Sequence, residues 1–106
     1  KGAYTQLIAA SSNPIRTVII GLANSYMPRS NGDIMLDIAI GAGGAEEVII
    51  PNLHLELWPT QNVLAPVMIG PLDVAIPAGT RIAARASCTL TTLPNRLLDV
   101  VIHGFD

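Results

Sequence analysis

The sequence predicts an all-β domain, a sandwich or barrel of about seven to eight short strands, and three observations predict it. Apolar and polar residues alternate with a period of two in several segments, the pattern of a strand with one buried face. Nine glycines and eight prolines break a chain of 106 residues often, with turn chemistry about every 8–12 residues. The apolar content is mostly Ile, Leu, Val and Ala, with 4% aromatics, and β-branched side chains favour strands. No segment carries a convincing 3.6-residue period, and no internal repeat is evident.

Residues 3–10 form a short apolar run suited to a first strand. Ser11, Ser12, Asn13 and Pro14 are turn residues. Residues 15–23 read as a strand covered on both faces, because nearly every position is apolar. A loop follows over 24–33, with Met27-Pro28 and the turn pair Asn31-Gly32. From Ile34 to Ile40 the alternation is clean, with Ile34, Leu36, Ile38 and Ile40 against Met35, Asp37 and Ala39. Gly41-Ala42-Gly43-Gly44 then reads as a flexible turn or a close contact with a neighbour.

Residues 47–50 start a strand that Pro51 interrupts. Leu53, Leu55 and Leu57 alternate with His54, Glu56 and Trp58 before a loop over 58–63. Val67 to Ile69, ended by Gly70-Pro71, leads into the most regular stretch of the chain, residues 72–89. That stretch reads as a β-hairpin with a corner at Pro77-Ala78-Gly79. Pro77 cannot donate to a ladder and Gly79 supplies a positive φ. Past the corner, Ile82, Ala84, Ala86 and Cys88 share one face, and Arg81, Ala83, Arg85 and Ser87 the other. A turn at Pro94-Asn95 precedes a last strand over 97–102 or slightly beyond, with Leu98, Val100 and Ile102 inward and Asp99 and His103 outward.

The length fits one domain over residues 1–106, large enough to hold a core without staples. Half the residues are hydrophobic and only 13% are charged, where a globular domain usually has about a quarter. Apolar side chains must therefore lie outside as well as inside, the first physical sign of an oligomer or larger assembly; the alternative is that alanine, which is cheap to expose, makes up the surplus. The net charge is −2 and the arginines are scattered, so the sequence offers no phosphate-neutralising patch for nucleic acid. No apolar run reaches the roughly 18 residues of a membrane span, and no signal peptide is visible. The chain opens at Lys1 without a methionine, so either the start is processed or a segment precedes it. Cys88, the single cysteine, reads as a small buried apolar residue rather than a reactive thiol.

Catalytic and cofactor chemistry find little support. The glycines at 41–44 are followed by Ala45-Glu46-Glu47, acidic where a phosphate would sit, and no Gly-Lys-Ser/Thr follows. His54 and His103 stand in no metal-ligand spacing, and a joint role would need their strands to be neighbours. The carboxylates are dispersed, and Ser11-Ser12 lies in no nucleophile elbow. No enzyme, cofactor or metal site is expected.

The charged residues read as contacts instead. Asp73 and Arg85 would lie nearly opposite each other across the expected hairpin, and Glu56 with Arg81 is a similar candidate; at a subunit boundary such pairs fix register. His54 is expected on an outer strand face at a subunit contact. Trp58 suits a core edge, an interface or a sugar-stacking site. Interface candidates are thus Trp58, Asp73, Arg81, Arg85, His54 and Glu56. The loops over 24–33, 41–47 and 58–63 are candidate partner surfaces.

Three strings in order carry a resemblance: IAIGAGGAEEVIIPNL, PLDVAIPAGTRIAARAS and LLDVVIHGFD. Together they resemble a group of small tailed-bacteriophage structural proteins, over about two-thirds of the chain from Asp37 onward. The resemblance implies a jelly-roll-like antiparallel β-sandwich located in the virion. It implies a capsid cement or decoration protein, a homo-oligomer and specifically a trimer, with the major capsid protein or another virion protein as partner. Nucleic acid and membrane are not expected partners. The alternative is a tail or fibre module, including a lectin-like tip that binds a host glycan. That reading wants exposed aromatics, and only Tyr4, Tyr26, Trp58 and Phe105 are available. A small hydrolase or isomerase on a cupin-like barrel would want a His/Glu metal cluster, which the sequence lacks.

Overall fold

A computed structural model of the chain describes residues 1–24, 32–57, 64–89 and 98–106. Its seven strands are β1 (Thr5–Ile8), β2 (Ile15–Asn24), β3 (Gly32–Ile40), β4 (Glu47–Leu57), β5 (Leu64–Ile76), β6 (Ile82–Cys88) and β7 (Asp99–Phe105). They form two antiparallel sheets, one of four strands in the order β1-β6-β3-β4 and one of three in the order β5-β2-β7.

The pairings are nested. β3 pairs with β4, β2 with β5, and β1 with β6. A long antiparallel ribbon is thus rolled up so that successive pairs alternate between the two sheets. β6 closes onto β3 across the roll, and β7 adds to the far side of β2. This is the wrapping of a jelly roll, carried by six strands rather than eight. The expected all-β, jelly-roll-like sandwich is the fold observed.

The core lies between the sheets and comes from the period-two alternation. Val18, Ile20 and Leu22 of β2 face Ile34, Leu36 and Ile38 of β3, joined by Ile76 and Ile82. Each of these side chains is almost fully buried, and each stabilises the fold by about 1.5–3 kcal/mol over exposure, before the entropy of ordering is counted. Ala84 of β6, opposite Ile38, completes the inner face. Cys88 shares that face opposite Ile34 but is only half-buried.

Residues 72–89 differ from the expected hairpin. β5 belongs to the three-stranded sheet and β6 to the four-stranded one, so the Pro77–Gly79 corner crosses between sheets. Both arms alternate, as in a hairpin, but they find different partners: β5 pairs with β2 and β6 with β3 and β1. Local turn chemistry does not distinguish the two outcomes.

The prolines expected to break strands instead lie within them. Pro51 is inside β4 and Pro71 inside β5. Both are edge strands, where a missing N–H costs no ladder bond on the open side. Each also sits in a bulge. The β3–β4 register slips between Leu36 and Ile38, where Asn52 takes a φ of 55°. The β2–β5 register slips between Val18 and Ile20, at Gly70-Pro71. Gly70 has a φ of 125°, and a Cβ there would lie 2.8 Å from the Val18 carbonyl oxygen, so only glycine fits.

Candidate functional site

On the outer face of the four-stranded sheet, β3 should show Met35, Asp37 and Ala39 to solvent. Met35 is exposed, yet Asp37 is only 2% exposed. Its carboxylate is enclosed by donors. Arg85, directly opposite on β6, donates from Nε to Oδ2 at 3.0 Å. The Asn52 N–H, turned inward by the β4 bulge, donates to Oδ1 at 2.9 Å. Lys1 Nζ reaches Oδ1 at 2.5 Å and also donates to the Asn52 side chain. The Tyr4 ring covers Arg85, with the guanidinium carbon 4.8 Å from its centroid. Burial pushes the Asp37 pKa up, but the hydrogen bonds from Lys1, Asn52 and Arg85 and the Lys1 charge outweigh it, holding the carboxyl at about 2.

A second node joins the corners of the roll. Arg81 Nη1 donates to the Gly41 carbonyl at 3.2 Å and to Glu46 at 3.1 Å, while Nε donates to Gln6 at 3.1 Å. The Gly44 N–H donates to Glu46 at 2.9 Å. A hydrogen bond from its own N–H, then those from Arg81 and Gly44, hold the Glu46 carboxyl below the usual range against a smaller opposing effect of burial. At the crossing corner, buried Ser11 donates from Oγ to the Pro77 carbonyl at 3.0 Å and accepts from the Thr80 N–H at 3.3 Å. The glycine-rich turn and the Ile-Pro-Ala-Gly-Thr-Arg corner are therefore tied together as joints of the fold.

The outer face of the three-stranded sheet is different in kind. Register places Asp99, Val101, His103 and Phe105 of β7 beside Ala23, Gly21, Ile19 and Thr17 of β2, and Met68 of β5 on the other side of Gly21. Met68 is 54% exposed, Val101 52% and Phe105 51%. A Cβ at Gly21 would meet Met68 Sδ at 3.2 Å and Val101 Cβ at 3.8 Å. The two side chains lean together over the glycine, making an apolar strip across all three strands. β2 was expected to be covered on both faces; its outer side is shielded only in part, by neighbouring side chains within the same sheet.

The residues singled out in the sequence are dispersed among these features. Asp73 and Arg85 do not pair: Asp73 lies opposite Thr17 in one sheet, Arg85 opposite Asp37 in the other. The error follows from the hairpin, whose arms separate. Arg81 is paired with Glu46; Glu56 lies opposite Asp33 on β4. His54 hydrogen-bonds Asp33 at 3.0 Å on an exposed part of the four-stranded sheet, whereas His103 is on the other sheet, so the two histidines share no site. Trp58 and the whole loop over 58–63 lie outside the described residues, as do most of the loop over 24–33 and the expected turn at Pro94-Asn95.

Sequence reasoning passed over Asp37, Lys1, Tyr4, Asn52 and Glu46. One signal was present: Asp37 is a charge in the middle of an otherwise apolar strand. Met68 and Val101 carried none, because exposure of an apolar residue depends on which sheet lacks a covering layer. Among the described residues, no group of three or more His, Cys, Asp or Glu is placed to hold a metal ion. A recess of about 490 Å³ opens between the edge strands of the two sheets, β1 and β7, lined by Thr5, Leu7, Ala84, Ala86, Leu98 and Val100 among others. No family model, no curated protein and no solved structure matches the chain.

Proposed function

We propose that the chain is a structural component of a bacteriophage particle, a cement or decoration protein that acts as a homo-oligomer and holds neighbouring capsomers together at the capsid surface. The apolar strip of Met68, Gly21 and Val101 carries this reading. It is the kind of surface that a partner covers, and it lies on antiparallel ladders, with β2 paired to β5 on one side and to β7 on the other. A face that is already ordered gives up little entropy on docking. The resemblance of the chain from Asp37 onward to small virion proteins implies the partner, the major capsid protein or another virion protein. The protein works by burying surface across a capsomer boundary, so that separating the capsomers exposes it again.

Undecorated capsids mixed with the purified protein test this. The chain is expected to co-sediment with them and to raise their resistance to heat, and Met68→Lys with Val101→Lys is expected to abolish both effects while the variant stays folded. A chain that ignores capsids but binds cell-surface glycans would instead be a receptor-binding tail or fibre module.

A further inference from the structure

We propose that β7 is an assembly edge, pairing antiparallel with β7 of a second copy about Val101. Among the described residues the two sheets have four edges, and three are blunted. β1 is four residues long with an irregular register. β4 carries Pro51 and a bulge, and β5 carries Pro71 and a bulge. Such devices prevent strand addition. β7 has none of them. It holds no proline, and its register with β2 is unbroken from Asp99 to Phe105. On its other side it has no strand partner among the described residues.

The sequence of β7 is self-complementary in one register. Antiparallel pairing centred on Val101 sets Asp99 against His103 of the second copy, and His103 against its Asp99. All four lie on the outer face. An imidazole N–H donates to a carboxylate in either of its protonation states, so both ends of the contact are joined. Val101 meets Val101 of the second copy at the axis, and Val100 meets its Ile102 on the inner face. Beside this edge the recess between β1 and β7 is lined by small and aliphatic residues, which gives the inner side chains of an added strand an apolar place to go. Pairing also brings the two Met68–Val101 strips onto one continuous sheet. The inference rests on the homo-oligomer part of the function proposed above and not on the phage particle. An isologous contact closes at two copies, where the resemblance implies three.

The test uses the purified chain without capsids. Five residues a side is a small contact, so association is followed by sedimentation over a range of concentrations up to millimolar. A monomer–dimer equilibrium is expected. His103→Asp, which sets carboxylates together twice, is expected to weaken it about tenfold or more, and the exchanged variant Asp99→His with His103→Asp to restore it. Both positions are exposed, so the variants do not threaten the core. In a Cys88→Ala background, Val101→Cys is expected to form a disulfide-linked dimer under mild oxidation, and Met68→Cys much less. A chain that stays monomeric at millimolar concentration overturns the proposal and leaves the edge to an extended segment of another protein. A trimer indifferent to His103→Asp, or equal cross-linking at positions 68 and 101, overturns it too. Capsid binding that survives any of these outcomes would leave the particle reading standing.

Discussion

On the outer face of the four-stranded sheet, a carboxylate that alternation points toward water is 2% exposed. On the outer face of the three-stranded sheet, a methionine and a valine are more than half exposed. On the first face the charge is enclosed by the chain itself: the residues before β1 continue along the edge of β6, where the Gly2 N–H donates to the Ala86 carbonyl at 2.9 Å, and the Lys1 and Tyr4 side chains converge on Asp37 and Arg85. Among the described residues the second face has only its own side chains to shield it. A buried charge is tolerable only when every partner is in place, so the first face behaves as one unit. An exposed apolar strip carries no such obligation and can be changed with little effect on the fold. The difference teaches where this molecule keeps its stability and where it has surface left for a partner.

Substitution should separate the two faces sharply. Asp37→Ala leaves the partly exposed Lys1 and Arg85 without their shared partner, and we expect it to destabilise the fold by about 2–3 kcal/mol, read as a lower denaturation midpoint in urea. Replacing Asp37 and Arg85 together should cost less than the sum of the single changes. Equal costs for Asp37→Ala and Met68→Ala would erase the contrast.

Backbone rather than side chains should set the limits of the three-stranded sheet. Gly70→Ala forces a side chain into a φ of 125° and against the Val18 carbonyl, and is expected to cost about 2–3 kcal/mol. Gly21→Ala meets only the flexible end of Met68 and the side chain of Val101, and should stay within about 0.5 kcal/mol of the parent. Thermal unfolding of the two variants compares them directly.

Acid should act on the first face. The Asp37 carboxyl is held at about 2 in the fold, below its value near 3.9 in an unfolded chain. Its contribution is therefore fully present above pH 4 and is lost as the pH falls from about 4 to 2. The loss is about 2 kcal/mol. Urea titrations at a series of pH values should show the midpoint falling in that window, and the fall should shrink when Asp37 is replaced by Asn. The smallest effect is expected on the second face, where Met68→Ser should change stability by no more than about 0.5 kcal/mol while reducing capsid co-sedimentation.

Much of the fold was legible along the chain. Ile34 to Ile40 and Ile82 to Cys88 alternate without interruption, and both form the strands that their period predicts. The site was less legible. Arg85 was visible as a paired charge, but its partner is 48 positions away on β3 rather than across the nearest corner. Arg81 likewise reaches Glu46 and Gly41 in the turn before β4. Long-range partners of this kind are set by which strands become neighbours, and a rolled ribbon makes neighbours of residues far apart in sequence.

The sequence by itself determined that this chain is built of strands and which face of most of them is apolar. Those are local properties: side-chain period, β-branching, and the φ that proline and glycine impose. Tertiary structure alone decided that the Pro77–Gly79 corner crosses between sheets, that Pro51 and Pro71 lie on edges where they are harmless, and that Asp37 is enclosed while Val101 is bare. The physical reason is that a period of two specifies a buried face but not the strand or layer that will bury it. That choice is made by the nested pairing of all the strands at once.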